Sequence, residues 1–177
     1  VQRRQGKGTV VASHDSDQVL FRFFNLRRPD GTMLRPESRV LARVREAAAG
    51  DDAAALGLTD GAEVIRITRV REGDGNPIVY ENILLDAARF GALETAPEPL
   101  PNTLYQLYQS QFGATVHRAC EAVTAAAASG PCADELGLPT GTPVLRIRRI
   151  ARDYNGGPVE LRLSWVSTAR LQYEADL

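Results

Sequence analysis

The stretch LGLTDGAEVIRITR (residues 56–69) returns further along the chain as LGLPTGTPVLRIRR (residues 136–149). The Leu-Gly-Leu start, the second glycine and the alternation of apolar residues with arginine recur position by position, so that Arg69 corresponds to Arg149. The match continues downstream, where DGNPIVYEN (residues 74–82) corresponds to NGGPVELRL (residues 155–163) with one residue inserted. Two copies are too few for a solenoid, in which several repeats must stack to bury a core. The sequence therefore predicts a duplicated half-domain.

Each copy is predicted to form a strand, a short helix and a hairpin. In the first copy, residues 38–47 alternate apolar residues with arginine as a strand does, and residues 53–58 form a short helix that Gly57 closes in a left-handed conformation. Residues 62–72 and 78–85 form a hairpin around Gly-Asp-Gly-Asn-Pro. Because hairpin connections dominate, the predicted fold class is α+β, an internally duplicated antiparallel sheet with helices packed against it.

Two segments outside the copies also have a predicted structure. Residues 18–26 have the composition of a first strand. Residues 102–112 predict a helix with Asn102 or Thr103 as its N-cap and with Leu104, Leu107 and Tyr108 on one face.

The composition of the chain is that of an ordinary globular protein, with 44% hydrophobic and 24% charged residues among 177. A net charge of −1 argues against broad nucleic-acid binding by this segment itself, and no apolar run approaches the ~20 residues of a membrane helix. Cys120 and Cys132 are expected to be small buried residues in a reduced, cytoplasmic protein, with a disulfide between them as the alternative. No signal peptide is in view. Because the chain starts at Val1, we expect it to be a fragment.

A pair of arginines is the first candidate for chemistry. Side chains two apart on a strand share a face, so Arg69 and Arg71 lie on the same face as Ile65 and Ile67. Two guanidiniums side by side can bind a carboxylate or phosphate in bidentate fashion. The alternative is a solvated arginine pair near a turn, or a set of partners for nearby glutamates.

A helix start and two glutamates are further candidates. Thr103 and Tyr105 lie where free backbone N–H groups and the helix dipole favour an anion, although a plain N-cap with a core tyrosine explains them equally. Glu81 and Glu160 follow a turn and a proline at nearly equivalent places in the two copies. A carboxylate on a buried strand face needs a partner, which is either a ligand or an arginine.

Nothing in the sequence predicts a catalytic or metal site. His14 and His117 are the only histidines, and no Ser or Cys nucleophile motif accompanies them. Metal-ligand spacing and a phosphate-binding glycine-rich loop are both absent from the sequence. We therefore predict no catalytic residue, no metal and no cofactor.

The motifs together resemble a family of regulators. The Arg-led Gly-Lys-Gly-Thr stretch near the N-terminus resembles the last wing strand of a GntR-type winged helix-turn-helix repressor. Residues 19–173 resemble the effector-binding domain of the HutC-type subfamily, the UTRA domain, whose fold is similar to that of chorismate lyase. The resemblance implies that residues 1–12 end a DNA-binding domain and that residues 13–177 form the UTRA domain. It also implies a bacterial homodimer that binds operator DNA through an N-terminal domain outside this chain.

The resemblance further implies which residues bind the effector. Phosphosugar-binding members tend to carry an aromatic residue six places after the glutamate that corresponds to Glu160. This chain has Val166 there, which argues against an aminosugar phosphate as the effector. Arg162 and Ser164 share a strand face with that glutamate and are candidates for the other end of the ligand. The predicted effector-binding residues are Arg69, Arg71, Glu81, Thr103, Tyr105, Glu160, Arg162 and Ser164.

Three functions are compatible with these observations. The leading hypothesis is a sensor domain that binds a small anionic metabolite, a carboxylate or phosphate, and thereby modulates operator binding. The alternatives are an enzyme of chorismate-lyase type, which the shared fold permits, and a dimerisation module without a ligand.

Overall fold

The computed structural model describes residues 24–175 in full, together with the backbone of strands β1 (Gln2–Arg3) and β2 (Thr9–Val10), which pair antiparallel. Residues 18–23 of the predicted first strand lie outside the described residues. Its end is observed as β3 (Leu26–Arg27), which pairs with the last strand, β10 (Gln172–Tyr173). The predicted domain boundary after residue 12 also lies outside the described residues and stays a prediction.

A six-stranded antiparallel sheet forms the centre of the protein. Its order is β4-β5-β6-β9-β8-β7, so each copy of the repeat supplies three neighbouring strands and β6 pairs with β9 where the copies meet. This arrangement confirms the predicted duplicated α+β fold. The strands are β4 (Glu37–Ala47), β5 (Glu63–Gly73), β6 (Asn76–Asp86), β7 (Arg118–Ala127), β8 (Pro143–Arg152) and β9 (Pro158–Ser167).

The register of the two hairpins defines which residues are equivalent in the two copies. The first hairpin turns at Asp74 and Gly75, which both have positive φ, as a type I′ turn requires. Arg69 lies opposite Glu81, and its counterpart Arg149 lies opposite Arg162. Glu81 is therefore equivalent to Arg162. Glu160 is equivalent to Val79, so the two glutamates differ by two residues in their positions within the copies. This corrects the expectation that they occupy nearly equivalent places.

Two short helices cover one face of the sheet. Helix α1 (Gly50–Ala55) of the first copy contacts β9, and helix α4 (Gly130–Leu136) of the second copy contacts β6. Each copy thus covers a strand of the other, which binds the halves into one core. Gly57 and Gly137 follow these helices with φ of 67° and 61°, as the sequence predicts for a left-handed helix end.

The opposite face carries the connection between the copies. Helix α2 (Ala87–Phe90) and a 3₁₀ turn (Gly91–Glu94) follow β6, and helix α3 (Leu104–Phe112) begins after Thr103, as predicted. The sequence analysis did not predict α2 or the 3₁₀ turn. The core on this face packs the strand residues Ile65, Ile67, Ile83 and Leu85 against Phe90, Leu104 and Tyr108.

The cysteines are free, and only Cys132 is buried. The prediction that Cys120 is buried is wrong, because it lies on the edge strand β7, where one face and one edge meet solvent. Within the described residues, no helix is long and apolar enough to cross a membrane.

Candidate functional site

A cleft opens between the sheet, the start of α3 and the segment that contains Phe24 and Leu26. Its walls combine apolar side chains with buried charges. The charged residues that line it are Arg71, Glu81, Glu121, Arg149 and Arg162.

Strand register brings these charges together. Arg71 and Arg69 on β5 share a sheet face with Glu81 on β6, directly opposite Arg69. One row further, Arg162 on β9 pairs with Arg149 on β8, which in turn pairs with Glu121 on β7. The charges therefore run across all but one strand of the sheet, over residues that are far apart in sequence.

Glu81 is the centre of the first cluster. Its Oε2 accepts from Arg69 Nε at 2.6 Å and from Arg71 Nε at 3.3 Å, while Arg162 Nη1 lies 3.6 Å from Oε1. Ser164 Oγ donates to Oε1 at 3.4 Å. Burial alone would raise the pKa of the Glu81 carboxyl, but the three arginine charges outweigh it and hold that pKa well below its ordinary value.

Glu160 is the centre of a second cluster beneath the cleft. It receives two hydrogen bonds from Arg162, at 2.9 and 2.8 Å, and one each from the hydroxyls of Tyr105 (3.1 Å) and Tyr108 (2.8 Å). The residue is fully buried. Burial and the Glu160 charge raise the pKa of Tyr108 well above its ordinary value. Since both tyrosines lie on α3, this carboxylate ties the helix to the sheet.

Glu121 is the centre of a third cluster at the other end of the cleft. Its Oε1 accepts from Arg149 Nε at 2.7 Å, and its Oε2 accepts from Asn25 Nδ2 at 3.2 Å and from the Tyr173 hydroxyl. The N-terminal and C-terminal segments of the described chain thus close the cleft through one carboxylate.

The arginine pair retains hydrogen-bonding capacity. Arg69 and Arg71 are 1% and 4% exposed, and Nη2 of the first and Nη1 of the second are buried without a hydrogen-bond partner among the described residues. Burial and the Arg69 charge lower the pKa of Arg71 to about 9. By contrast, the carboxylates of Glu160 and Glu81 overcome burial and raise the pKa of Arg162 well above its ordinary value. Arg71 is therefore the cation in the cleft whose charge is incompletely balanced.

The first turn of α3 faces the same cleft, through Thr103, Leu104, Tyr105 and Gln106. The Thr103 side chain does not cap the helix, but donates instead to Gln106 Oε1 at 3.3 Å. The backbone N–H groups of the first turn are therefore not taken by an N-cap side chain. Such groups, with the positive end of the helix dipole, form a general anion site.

The structure brings all the predicted effector-binding residues into one region but in two layers. Arg71, Glu81, Thr103, Tyr105, Arg162 and Ser164 line the cleft, whereas Arg69 and Glu160 lie beneath it and hold Glu81 and Arg162. Glu81 pairs with Arg69 and Glu160 pairs with Arg162 in buried ion pairs, so each carboxylate has an arginine partner, one of the two alternatives that the sequence left open.

Sequence analysis missed several residues of the cleft. Arg149 could have been found, because it is the repeat counterpart of Arg69. Glu121, Asn25 and Tyr173 could not, since only the pairing of β7 with β8 and of β3 with β10 brings them there. Tyr108 was assigned to the helix face but not to the Glu160 cluster.

The described residues contain no group of three or more His, Cys, Asp or Glu side chains placed to hold a metal ion. His117 lies outside the cleft and stacks on Tyr154. The chemistry that the cleft offers is anion binding by guanidinium groups and backbone N–H groups.

Comparison with known families agrees with this geometry. The model of the UTRA domain family matches residues 32–172, which includes the whole central sheet and helix α3. The chain is a UTRA domain of the GntR-family transcriptional regulators. Its role is accordingly that of an effector-binding regulatory domain.

Relatives of this UTRA domain are regulators. It is 24% identical over 173 residues to the HTH-type transcriptional regulator SmoD of Agrobacterium fabrum, covering 98% of this chain and 71% of the relative. It is 26% identical to the probable transcriptional regulator PhnF of Escherichia coli, covering 98% and 72%.

Among solved structures, the ligand-binding domain of a GntR-family regulator from Bordetella bronchiseptica is 33% identical, with a TM-score of 0.80 over 88% of this chain and 98% of that one. The effector domain of PhnF from Mycobacterium smegmatis is 25% identical, with a TM-score of 0.75 over 81% and 88%. These domains have the chorismate lyase-like fold, as predicted.

Proposed function

We propose that this UTRA domain binds a small anionic metabolite, a carboxylate or a phosphate, between Arg71 and the first turn of α3. One observation carries the proposal: Nη1 of Arg71, a residue that lines the cleft, is buried without a hydrogen-bond partner among the described residues. A buried unpaired donor costs about 1–3 kcal/mol, more when it is charged. An anion that accepts a hydrogen bond from the Arg71 guanidinium removes that cost, which is a source of affinity.

In our proposal DNA is bound by an N-terminal domain and the ligand by this cleft, so regulation requires coupling between the two. In our proposal the domain is the sensor of a bacterial, cytoplasmic HutC-type repressor, which forms a homodimer and binds its operator through an N-terminal winged helix-turn-helix domain. The effector must bind two arrangements of the dimer with different affinity. A hundredfold change in operator affinity corresponds to a coupling free energy of about 2.7 kcal/mol.

The connection between Glu160 and α3 supports such coupling. Arg162 contacts both Glu81 in the cleft and Glu160 beneath it, and Glu160 accepts hydrogen bonds from two tyrosines of α3. An anion that competes for Arg162 would change the position of the helix as well as the charge of the cleft.

Thermal unfolding with added anions tests the proposal. Inorganic phosphate or a carboxylate that binds the cleft should stabilise the domain by about 2.7 kcal/mol at a hundred times its Kd. Arg71→Ala should abolish this gain. Arg39→Ala is the matched control, because Arg39 is an exposed arginine on the neighbouring strand β4 that pairs with Glu72 and Glu135. An Arg71→Ala variant that responds like the wild type would show that the anion binds elsewhere.

The two alternative functions are tested in the same preparation. Incubation with chorismate should yield no 4-hydroxybenzoate, and turnover would contradict the assignment to a sensor. A chain that responds to no acidic metabolite, while remaining a dimer, would instead be a dimerisation module.

A further inference from the structure

The sheet-side wall of the cleft beyond Arg71 is apolar. Val79 on β6 lies beside Arg71 in the register, and Val166 on β9 lies opposite Val79. Ile147 on β8 belongs to the same buried cluster, which Phe24 and Leu26 complete from the other side of the cleft. A ligand whose head group contacts Arg71 therefore places its body against hydrocarbon.

Each of the two carboxylates of the cleft already accepts three hydrogen bonds from the protein. Glu81 accepts hydrogen bonds from Arg69, Arg71 and Ser164. Glu121 accepts from Arg149, Asn25 and Tyr173. Sugar hydroxyls packed against Val79, Val166 and Ile147 would lose water and gain no hydrogen bond from these side chains, and a buried polar group without a partner is costly.

The net charge of the lining sets the charge of the guest. Within the described part of the chain, three guanidiniums (Arg71, Arg149 and Arg162) and two carboxylates (Glu81 and Glu121) line the cleft. The excess is one positive charge, on the side of Arg71, and the dipole of α3 adds to it. One acidic head group satisfies this excess, while a second acidic group at the far end would approach Glu121.

We infer that the effector is an amphipathic acid: one carboxylate or phosphate head on an aromatic or branched aliphatic body, rather than a phosphosugar. This inference rests on the proposed function and narrows its ligand class. The head lies between Arg71 and the start of α3, and the body packs on Val79, Val166 and Ile147. Specificity follows from the wall, because it favours an apolar body and leaves hydroxyl groups unpaired.

Calorimetric titration with probes that share a head group tests the inference. Phenyl phosphate and glucose 6-phosphate differ in the body alone, and inorganic phosphate is the head without a body. Benzoate and gluconate repeat the comparison with a carboxylate. We expect each aromatic probe to bind at least about tenfold more tightly than its hydroxylated partner.

The outcomes distinguish a wrong ligand class from a wrong anion site. Equal or tighter binding of glucose 6-phosphate and gluconate would overturn the amphipathic ligand class while leaving the anion site intact. If no probe, inorganic phosphate included, binds the wild-type protein, the anion site itself is wrong.

Polar substitutions in the wall provide a second test. Val166→Thr adds a hydroxyl to the wall at nearly constant volume, and Ile147→Thr adds a hydroxyl while removing one heavy atom. Each should reduce phenyl phosphate affinity about tenfold and leave inorganic phosphate affinity unchanged. Val44→Thr is the matched control, since Val44 is 47% exposed on the edge strand β4. If both wall variants fold, by circular dichroism, and retain wild-type phenyl phosphate affinity, the body of the ligand does not lie on this wall. Two variants are needed because Val166 is fully buried and its replacement alone risks unfolding.

Discussion

In the first hairpin Arg69 lies opposite Glu81, whereas in the second hairpin the equivalent Arg149 lies opposite Arg162 and takes its carboxylate from Glu121 on the edge strand β7. Two residues along, Arg71 of the first copy corresponds to Ala151 of the second, and Val79 corresponds to Glu160. The backbone scheme is duplicated while the charges are not. The cleft is thus built at the positions where the two copies diverge, on a scaffold that their shared positions maintain.

The largest expected effect comes from removing the carboxylate of Glu160, whose equivalent in the first copy is the apolar Val79. Glu160→Ala leaves Arg162 and two tyrosine hydroxyls buried without their acceptor, and should lower the free energy of unfolding by about 3–5 kcal/mol. Urea unfolding followed by circular dichroism measures this. Val79→Ala, at the equivalent position of the first copy, is the control and should cost about 2 kcal/mol, because it loses packing alone. Equal costs would mean that the Glu160 network contributes nothing beyond packing.

Helix α3 has no counterpart in the repeat, and Tyr108 is its link to Glu160. Tyr108→Phe should cost about 1.5–3 kcal/mol, the range for a hydrogen bond to a charged group. The raised pKa of Tyr108 adds a pH dependence. The folded protein retains the phenolic proton where the unfolded chain, with its ordinary pKa of 10.0, releases it. Stability should therefore fall as the pH rises above about 10.

The alkaline decline is measured by urea unfolding at pH 9, 10 and 11. Tyr108→Phe should reduce its slope but not abolish it, because burial and Glu160 also raise the pKa of Tyr105. A variant that declines as steeply as the wild type would contradict the assignment of the slope to Tyr108.

An apolar residue in place of Arg71 would make the first copy resemble the second, which has Ala151 at the equivalent position. Arg71→Met removes an incompletely balanced buried cation at similar volume, while Glu81 keeps Arg69 and Arg162 as partners. We expect the free energy of unfolding to rise by about 1–2 kcal/mol and the response to anions to be lost. Arg39→Met, on the exposed side of β4, should change stability by less than about 0.5 kcal/mol. A loss of stability in Arg71→Met would show that this arginine is needed for the fold rather than for a ligand.

The scaffold could be predicted from the sequence because its determinants are local and occur twice. The Asp74-Gly75 turn, the helix-ending glycines and the parity that puts Arg69 and Arg71 beside Ile65 and Ile67 all depend on residues close in sequence. The two layers of the site could not be predicted. Whether Arg69 lines the cleft or supports it depends on how β6 pairs with β9 and on where α3 packs.

Other misses have the same origin. Glu121 joins the cleft only through its pairing with Arg149 across the sheet. Cys120, one residue earlier on β7, points to the opposite face and is exposed, which its apolar character did not indicate. The positions of Glu121 and Cys120 depend on how strands that are distant in sequence pair and pack. The repeated local motifs contain no information about that pairing.

The smallest expected effect tests whether the shared scaffold is equivalent in the two copies. Gly57 and Gly137 hold positive φ at the ends of α1 and α4, so Gly57→Ala and Gly137→Ala should each cost about 1 kcal/mol of unfolding free energy. An added Cβ at Gly57 would lie 3.4 Å from Pro158 Cγ, an ordinary contact, and one at Gly137 would meet nothing within 4 Å. Neither site adds a clash, so urea unfolding should give costs that agree within about 0.5 kcal/mol. Asparagine at the same positions is the control and should cost less than alanine, because its side chain tolerates the left-handed conformation. Unequal alanine costs would mean that the copies differ in backbone strain as well as in charge, and that the site is not the only place where they have diverged.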